Sequence, residues 1–275
     1  MIMKRKYIPF VFMACSLLLA SCQTIVDNVD LPEIEIKPVV HFRYDGAINT
    51  YDCSLTKSNP IFGERRSDFD VIDDAIVSIT GLGRTDTVMF IEGIDKYNDE
   101  SNLDFIDGEL YELHITLPDG AQIYAQSEYP VRPQNIDVVV DSFKRDFETV
   151  YRIRTSWDDI PGIQEYYMLE FYQVYNFDGK KDTISSYVAQ VSSGDDAGTR
   201  FSQQHEAYAF TEPGSSISVD LFVVLSGITK KEYDYLRFLE RYEPENPFTE
   251  PTTIPSNVQG ALGMFTLKNG RIYKF

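Results

Sequence analysis

The chain has 275 residues, a formal net charge of −18 and 13% aromatic residues. A protein this acidic is repelled by nucleic acid and by anionic bilayers, which argues against both as binding surfaces. Its three cysteines are too few for a disulfide framework, so a hydrophobic core must provide the stability.

The first 21 residues have the pattern of a cleaved signal peptide. Lys4, Arg5 and Lys6 precede an apolar run at residues 7–20, and polar residues follow soon after. A transmembrane helix needs ~20 apolar residues, so this run is too short to span a bilayer. We therefore predict that residues 1–21 are removed.

Leu19, Ala20 and Ser21 before Cys22 resemble the bacterial lipobox, in which an aliphatic residue and two small residues precede an acylated cysteine. In such signals the thiol receives a diacylglyceryl group, and two or three acyl chains hold a protein stably at a membrane. We expect Cys22 to be the lipid anchor, with residues 22–33 as a tether. In the alternative, the segment is an ordinary secretory peptide and Cys22 is incidental.

Cys53 is the remaining cysteine of the mature body, because Cys15 leaves with the signal peptide. In the segment TYDCSLT it is predicted to be a small buried strand residue. A reactive or intermolecular thiol is the alternative. Both interpretations leave the mature chain without an internal disulfide.

Alternating hydrophobicity predicts a β-sandwich over residues 34–130. In LYELHITL every second residue from Tyr111 to Leu117 is apolar, as in a strand with one buried face. The turn sequence PDG at residues 118–120 leads into AQIYAQS, which predicts a hairpin. Further candidate strands are VVHFRY, AIVSITG and DTVMFI.

A segment with two prolines and no periodicity, residues 127–137, precedes a second predicted β-sandwich over residues 136–275. Its candidate strands VYRIRTSW, EYYMLEFYQVY and ISVDLFVVLS include the single tryptophan, Trp157. This order, with an acidic Pro-Gly turn after the tryptophan, resembles a fibronectin type III or immunoglobulin-like sandwich. Trp157 is then expected to anchor the core, and a binding-site tryptophan is the alternative.

One short helix is predicted near the C-terminus, at about residues 229–243. Thr229 and Glu232 have the spacing of a capping box, and Pro244 ends the segment. Apolar residues at helical spacing form a stripe that we expect to pack on the sandwich, with docking of a partner as the alternative. The predicted fold is thus all-β, with two immunoglobulin- or fibronectin-III-like sandwich units and this helix. The stripe consists of Tyr235, Phe238, Leu239 and Tyr242.

No catalytic motif is complete in the sequence. HEAYA at residues 205–209 has alanine where a zinc protease places its second histidine. GLGRTD at residues 81–86 has aspartate in place of the third glycine of a dinucleotide loop and is predicted to be a hairpin turn. Neither a Gly-x-Ser-x-Gly elbow nor a Cys-x-x-Cys pair occurs. We therefore predict a protein that is not an enzyme and has no catalytic residues or cofactor.

Acidic clusters in three loops offer oxygen atoms of the kind that bind Ca²⁺, but none has the EF-hand spacing, so no metal site is assigned. A carboxylate pair for glycoside hydrolysis depends on a separation of ~5–9 Å, which a sequence does not show. The clusters are Asp68, Asp70, Asp73 and Asp74; Asp95, Asp99, Glu100 and Asp104; and Asp195 and Asp196.

Long segments of the mature chain resemble a family of Bacteroidota lipoproteins, domain of unknown function 4249. They are the lipobox at Cys22, DDAIVSITG, GELYELHITLPDGAQIYAQSEYP, SWDDIPGIQEYYMLEFY and EYDYLRFLERYEPENPFTEPTTIPSNVQGALGMF. The resemblance implies an outer-membrane lipoprotein of a kind often encoded beside TonB-dependent receptors, with no established activity. Surface-exported lipoproteins of this kind often carry acidic residues directly after the cysteine. Here these come only at Asp27 and Asp30, so the periplasmic and cell-surface faces both stay open.

The signal sequence, the acidity and the resemblance together predict a non-catalytic outer-membrane lipoprotein that is an accessory component of a TonB-dependent uptake system. Its partners are then the membrane, through the lipid on Cys22, and a TonB-dependent receptor. A surface ligand-binding or adhesive module for glycans is the alternative, motivated by the aromatic residues Tyr172, Tyr175 and Phe177.

Overall fold

The computed structural model describes residues 35–59, 69–146, 148–177, 180–192, 199–210, 218–241 and 254–275. The predicted signal peptide, Cys22 and the tether lie outside these ranges, as do Asp68, Asp195, Asp196 and Tyr242. No helix in the described ranges is long and apolar enough to cross a membrane.

Strands dominate the described residues, as predicted, and they form three sheets beside one α-helix and a 3-10 turn at Glu92–Ile94. The first eight strands are β1 Pro38–Asp45, β2 Thr50–Lys57, β3 Ile76–Gly81, β4 Arg84–Val88, β5 Phe90–Ile91, β6 Lys96–Glu100, β7 Leu110–Thr116 and β8 Gln122–Glu128. The others are β9 Gln134–Arg145, β10 Glu148–Asp158, β11 Tyr166–Phe177, β12 Lys180–Ser192, β13 Arg200–Phe210, β14 Ser218–Ile228, β15 Val258–Gln259 and β16 Leu262–Lys274.

The first β-sandwich packs a five-stranded sheet, in the order β15-β8-β7-β3-β4, against β16, β1, β2, β6 and β5 of an eight-stranded sheet. On β7, Tyr111, Leu113 and Ile115 are fully buried, and Glu112 and His114 point away from the core. The predicted alternation of this strand is therefore confirmed.

The two hairpins predicted in this unit are present. Residues 81–86 connect β3 and β4 through Leu82 and Gly83, whose φ angles are 52° and 73°. Positive φ at both central residues suits the right-handed twist of a two-residue hairpin loop. The turn at residues 118–120 likewise connects β7 to β8, with the N–H of Leu117 bonded to the carbonyl oxygen of Ala121 at 2.9 Å.

Aromatic side chains fill the centre of this first core. The ring of Phe105 stacks on those of Tyr44 and Tyr111, with centroids 3.7 and 4.4 Å away. Cys53 is fully buried in the same core, and burial raises the pKa of its thiol. The prediction of a small buried strand residue is confirmed, and a thiol held in its protonated form is a poor nucleophile.

The second β-sandwich packs a three-stranded sheet, in the order β13-β10-β9, against β12, β11, β14 and β16. Trp157 is fully buried at its centre, with the rings of Phe201 and Tyr167 at centroid distances of 5.3 and 5.5 Å. The prediction that Trp157 anchors the core is confirmed, because a tryptophan with no exposed surface offers no face to a ligand.

The last strand, β16, belongs to both sandwiches. Residues 262–268 pair in parallel with β1, and residues 269–274 pair antiparallel with β14, so one sheet runs through both units. Phe265 and Leu267 therefore lie in the first core. The predicted division, which placed residues 136–275 in the second unit, differs from the structure here, because alternation shows which side chains are buried but not against which sheet.

The helix α1, Lys230–Arg241, begins where the sequence predicts it. The hydroxyl oxygen of Thr229 accepts a hydrogen bond from the N–H of Glu232 at 3.2 Å, so one half of the capping box is present. The carboxyl group of Glu232 makes no return bond to the helix end, and it points instead to the sheet below.

The helix lies across the outer face of the eight-stranded sheet. Tyr233 packs on Tyr166 of β11, with ring centroids 5.0 Å apart, and Tyr235 lies 6.1 Å from the ring of His41 on β1. Tyr235 and Phe238 of the predicted stripe are half-buried, and 46% of Leu239 is exposed. The predicted packing of the helix on the sandwich is therefore confirmed for Tyr235, whereas Leu239 faces solvent.

Candidate functional site

The histidines and acidic residues singled out in the sequence do not converge. His114 lies 3.2 Å from Glu112 on the same surface strand, and the ring of His205 stacks on Phe171 at 5.0 Å. His41 is on a different sheet from His114. Within the described ranges, no group of three or more His, Cys, Asp or Glu residues could hold a metal ion.

The aromatic residues that motivated the glycan-binding alternative are half-buried. Tyr172 donates a hydrogen bond to Glu170 at 2.5 Å, and the hydroxyl group of Tyr175 donates to the carbonyl oxygen of Tyr208 at 3.4 Å. The side chain of Phe177 is outside the described part of the chain. Tyr172 and Tyr175 therefore offer their rings to solvent only in part.

A cluster of buried charges lies between α1 and the eight-stranded sheet. Alternation along β16 turns Lys268 to the outer face, opposite the core residues Phe265 and Leu267. Nζ of Lys268 lies 2.7 Å from Oε2 of Glu170 on β11 and 3.7 Å from Oδ2 of Asp45 on β1. A buried charge is tolerated when it is paired, so these two carboxylates hold Lys268 in place.

Glu232, in the first turn of α1, faces this cluster. Only 5% of the residue is exposed, and its Oε2 has no hydrogen-bond partner among the described residues. Burial raises the pKa of this carboxyl to about 7; Lys268 and Arg43 oppose the shift, whereas Glu170 and Asp45 add to it. Glu232 therefore exchanges its proton near neutral pH.

A cavity of about 340 Å³ opens beside Glu232, between α1 and strands β1, β2, β6 and β16. Arg43 and Lys96 line it, and both pair with Asp52, at 3.2 and 3.1 Å. Because one carboxylate faces two cations, this side of the cavity carries an excess positive charge.

Three further polar side chains in the cavity, those of His41, Ser54 and Tyr235, make no hydrogen bond to another residue of the described structure. Burial lowers the pKa of His41 and raises that of Tyr235, so both are neutral at pH 7. His41 and Ser54 stand opposite each other on β1 and β2 but lack the hydrogen bond that joins a nucleophile to its base.

Two other cavities are larger than the one beneath α1, but neither is lined by a buried polar atom without a partner in the described ranges. A cleft of about 510 Å³ lies where the sandwiches meet, lined in part by Leu110, Val131 and Ile163. A groove of about 470 Å³ on the three-stranded sheet is lined by charges such as Arg152, which pairs with Glu206 at 3.0 Å. Of the buried side-chain atoms without a partner in the described ranges, only Oε2 of Glu232 lines one of the three cavities. We therefore take the cavity beneath α1 as the candidate site.

Most residues of this site were not singled out in the sequence. Glu232 was assigned to a helix cap only, and Lys268, Glu170 and Arg43 were not named. The available signal was a charged residue inside an apolar strand pattern, as in GMFTLKNG and YYMLEFY. That pattern alone places such residues on the outer face of a sheet, and only the packing of α1 buries them.

Comparison with known proteins identifies a family. A family model described as "Domain of unknown function (DUF4249)" matches residues 44–270. No curated protein matches the chain. A solved two fibronectin type-III domain segment from chicken tenascin aligns at 12% identity with a TM-score of 0.21, covering 88% of this chain and 100% of that one. A chain of a cytokine receptor complex aligns at 9% identity with a TM-score of 0.23, covering 88% and 95%. At these TM-scores neither structure carries an argument about this protein.

Proposed function

Since the chain belongs, over residues 44–270, to the family of unknown function DUF4249, we propose that it is a non-catalytic outer-membrane lipoprotein and an accessory component of a TonB-dependent uptake system. The observation that carries the proposal is the lipobox-like sequence ending at Cys22, behind a basic segment and a short apolar run. The resemblance to lipoproteins encoded beside TonB-dependent receptors supplies the partner. No described constellation of residues calls for a catalytic step.

The edges of the second sandwich support a role in protein contact. β9, of 12 residues, and β12, of 13 residues, are end strands of their sheets in the described structure. The outer backbone groups of such strands can pair with a strand of another protein. The net charge of −18 favours a partner surface that carries basic residues.

Lipid attachment is tested by Cys22→Ala, with Cys15→Ala as the matched control. Cells grown with radiolabelled palmitate should label the wild type and Cys15→Ala, and Cys22→Ala should carry no label and leave the membrane fraction. Equal labelling of both variants would place the lipid elsewhere and contradict the anchor.

The partner is tested by crosslinking in intact cells, followed by purification of the lipoprotein from detergent-solubilised outer membranes. We expect a TonB-dependent receptor to be recovered with the wild type. Recovery of no receptor, under conditions in which the lipoprotein itself is fully extracted, would contradict the accessory role. Protease shaving of the same cells decides between the periplasmic and cell-surface faces.

A second candidate function, a ligand-binding module, is favoured by the cavity beneath α1 and the unpartnered oxygen of Glu232 in it. Protein purified from its own cells, examined by native mass spectrometry, should carry a small molecule. Ser54→Trp, which fills the cavity from β2, should remove it. An unchanged spectrum in the filled variant would contradict binding at this site.

A further inference from the structure

The lining of the cavity beneath α1 offers two chemically different kinds of group. Arg43 and Lys96 share the single carboxylate of Asp52. Glu232 contributes a buried oxygen atom that has no partner in the described structure. A molecule that satisfies both kinds of group must carry a negative group and hydroxyl groups.

We propose that this cavity binds a small hydroxylated carboxylate of the size of a uronic acid, with its carboxylate at Arg43 and Lys96 and a hydroxyl group at Glu232. The inference rests on the ligand-binding candidate above and names the chemistry of its ligand. The volume of the cavity, about 340 Å³, is near the lower end of the ~300–1,000 Å³ typical of small-molecule pockets. The ligand is therefore of monosaccharide size.

The cationic pair Arg43 and Lys96 has free capacity to bind a carboxylate. Of the guanidinium nitrogens of Arg43, only Nη2 donates to Asp52, at 3.2 Å. In the described structure the other N–H groups remain available to a ligand. The side chains of Arg43 and Lys96 are 47% and 43% exposed, which lets a ligand reach them. A guanidinium group binds a carboxylate through two parallel hydrogen bonds, so Arg43 fixes the orientation of the ligand.

The other polar groups of the cavity need a partner. A buried oxygen without a hydrogen bond has an unfavourable desolvation free energy. A ligand hydroxyl group that donates to Oε2 of Glu232 removes this penalty. His41, Ser54 and Tyr235 add donors and acceptors around the same space. A plain apolar acid would leave these groups unsatisfied, so the ligand must carry several hydroxyl groups.

The charges around Glu232 couple ligand binding to a proton. It is faced by Lys268 from β16, by Glu170 from β11 and by Arg43 and Asp45 from β1. The cavity adds Asp52, Lys96 and His41. An arriving carboxylate introduces a further negative charge, so it binds more tightly when Glu232 is protonated. Affinity is therefore expected to fall as the pH rises from 6 to 8.

The test is isothermal titration calorimetry on the full chain in detergent, with D-glucuronate, D-glucose and acetate as probes. Glucuronate should bind at least ten times more tightly than glucose, which lacks the carboxylate, or acetate, which lacks the hydroxyl groups. Its affinity should be about five to ten times weaker at pH 8 than at pH 6, as expected for linkage to one proton.

Three variants locate the binding. Arg43→Met should weaken glucuronate binding at least tenfold. Glu232→Gln keeps a polar group without a charge, so it should bind at both pH values as the wild type does at pH 6. Asp234→Asn, on the exposed face of the same helix, is the matched control and should behave like the wild type. Circular dichroism checks that each variant is folded.

A wrong ligand class and a wrong ligand-binding function would give different results in these experiments. Equal affinity for glucose and glucuronate would contradict the claim that the ligand needs a carboxylate, but it would still be consistent with a ligand-binding module. Glucuronate binding that is unchanged in Arg43→Met, or that keeps its pH dependence in Glu232→Gln, would place the ligand elsewhere and overturn the site. Absence of glucuronate binding at pH 6 would overturn the ligand class, and the native mass spectra then decide separately whether the cavity holds another molecule.

Discussion

Nζ of Lys268 lies 2.7 Å from Oε2 of Glu170, and both side chains are buried beneath α1. The two residues are 98 positions apart in the chain and come from β16 and β11. This ion pair joins the strand shared by both sandwiches to the second sandwich, and it forms the base of the candidate site.

Lys268→Met should be strongly destabilising, because it leaves Glu170 as a buried carboxylate without its cation. Removing one partner of a buried ion pair costs about 3–5 kcal/mol. Chemical denaturation followed by circular dichroism measures the change. Lys274→Met is the control, since Lys274 pairs with Asp220 at 2.8 Å on the surface and its loss should cost less than about 1 kcal/mol. Similar losses for the two variants would argue against a buried pair.

Glu232 should make the protein less stable as the pH rises. The folded pKa of about 7 lies above the ordinary value of 4.5, so the folded chain holds this proton more tightly than the unfolded chain. The resulting stability is complete below pH 4.5 and is lost as the pH rises through 7. Glu232→Gln has no such loss, so it should gain up to about 3 kcal/mol relative to the wild type between pH 5 and pH 8.

Thermal unfolding of the wild type and of Glu232→Gln at pH 5 and pH 8 measures this difference. Glu240→Gln, on the exposed side of α1 where Glu240 pairs with Arg237, should show no comparable change between the two pH values. A gap between the wild type and Glu232→Gln that stays constant with pH would contradict a raised pKa.

Gly263→Ala should weaken the parallel pairing of β1 and β16. Gly263 has a φ angle of 116°, and a Cβ atom there would lie 1.9 Å from the carbonyl oxygen of Val40. We expect a loss of about 2–3 kcal/mol from backbone strain and displacement of the strand. Gly93→Ala is the control, because a Cβ at Gly93 meets no atom within 4 Å. Equal melting temperatures of the two variants would contradict the close approach.

Asn269 should couple the unfolding of the two sandwiches. Its fully buried amide donates to Asp107 at 2.7 Å and to the carbonyl oxygen of Pro130 at 2.8 Å, and it accepts from Arg132 at 2.8 Å. Asn269→Ala should cost about 1–3 kcal/mol, because it leaves the buried carbonyl oxygen of Pro130 without this donor and removes the hydrogen bonds to Asp107 and Arg132.

The coupling is visible because Trp157 reports on the second sandwich alone. In Asn269→Ala, fluorescence and far-UV circular dichroism should give unfolding midpoints that differ, whereas the wild type should give one midpoint. The exposed Asn102→Ala should leave the midpoints together. Coincident midpoints in Asn269→Ala would show that the sheet itself maintains the coupling.

Local patterns were enough to predict much of the fold. Alternation in LYELHITL identified the buried face of β7, Trp157 was placed in a core, and Thr229 was placed at the start of the helix. Each of these features depends on neighbours within about one strand or one helical turn, where side-chain period and capping act directly.

The candidate site could not be predicted in the same way. Lys268, Glu170 and Glu232 lie on three different elements, and each alone has the pattern of an exposed polar residue. Their burial depends on the position of α1 across the sheet, which long-range packing decides.

The sequence by itself determined the strand faces, the place of the helix and the buried tryptophan, because these follow from hydrophobic period and local hydrogen bonding. Only the tertiary structure decided that β16 runs through both sandwiches and that α1 covers Lys268 and Glu170 and buries its own Glu232. Strand pairing and helix docking depend on the fit of surfaces distant in the chain. The free energy of those contacts depends on two distant segments together, whereas the alternation of a strand can be identified within one segment.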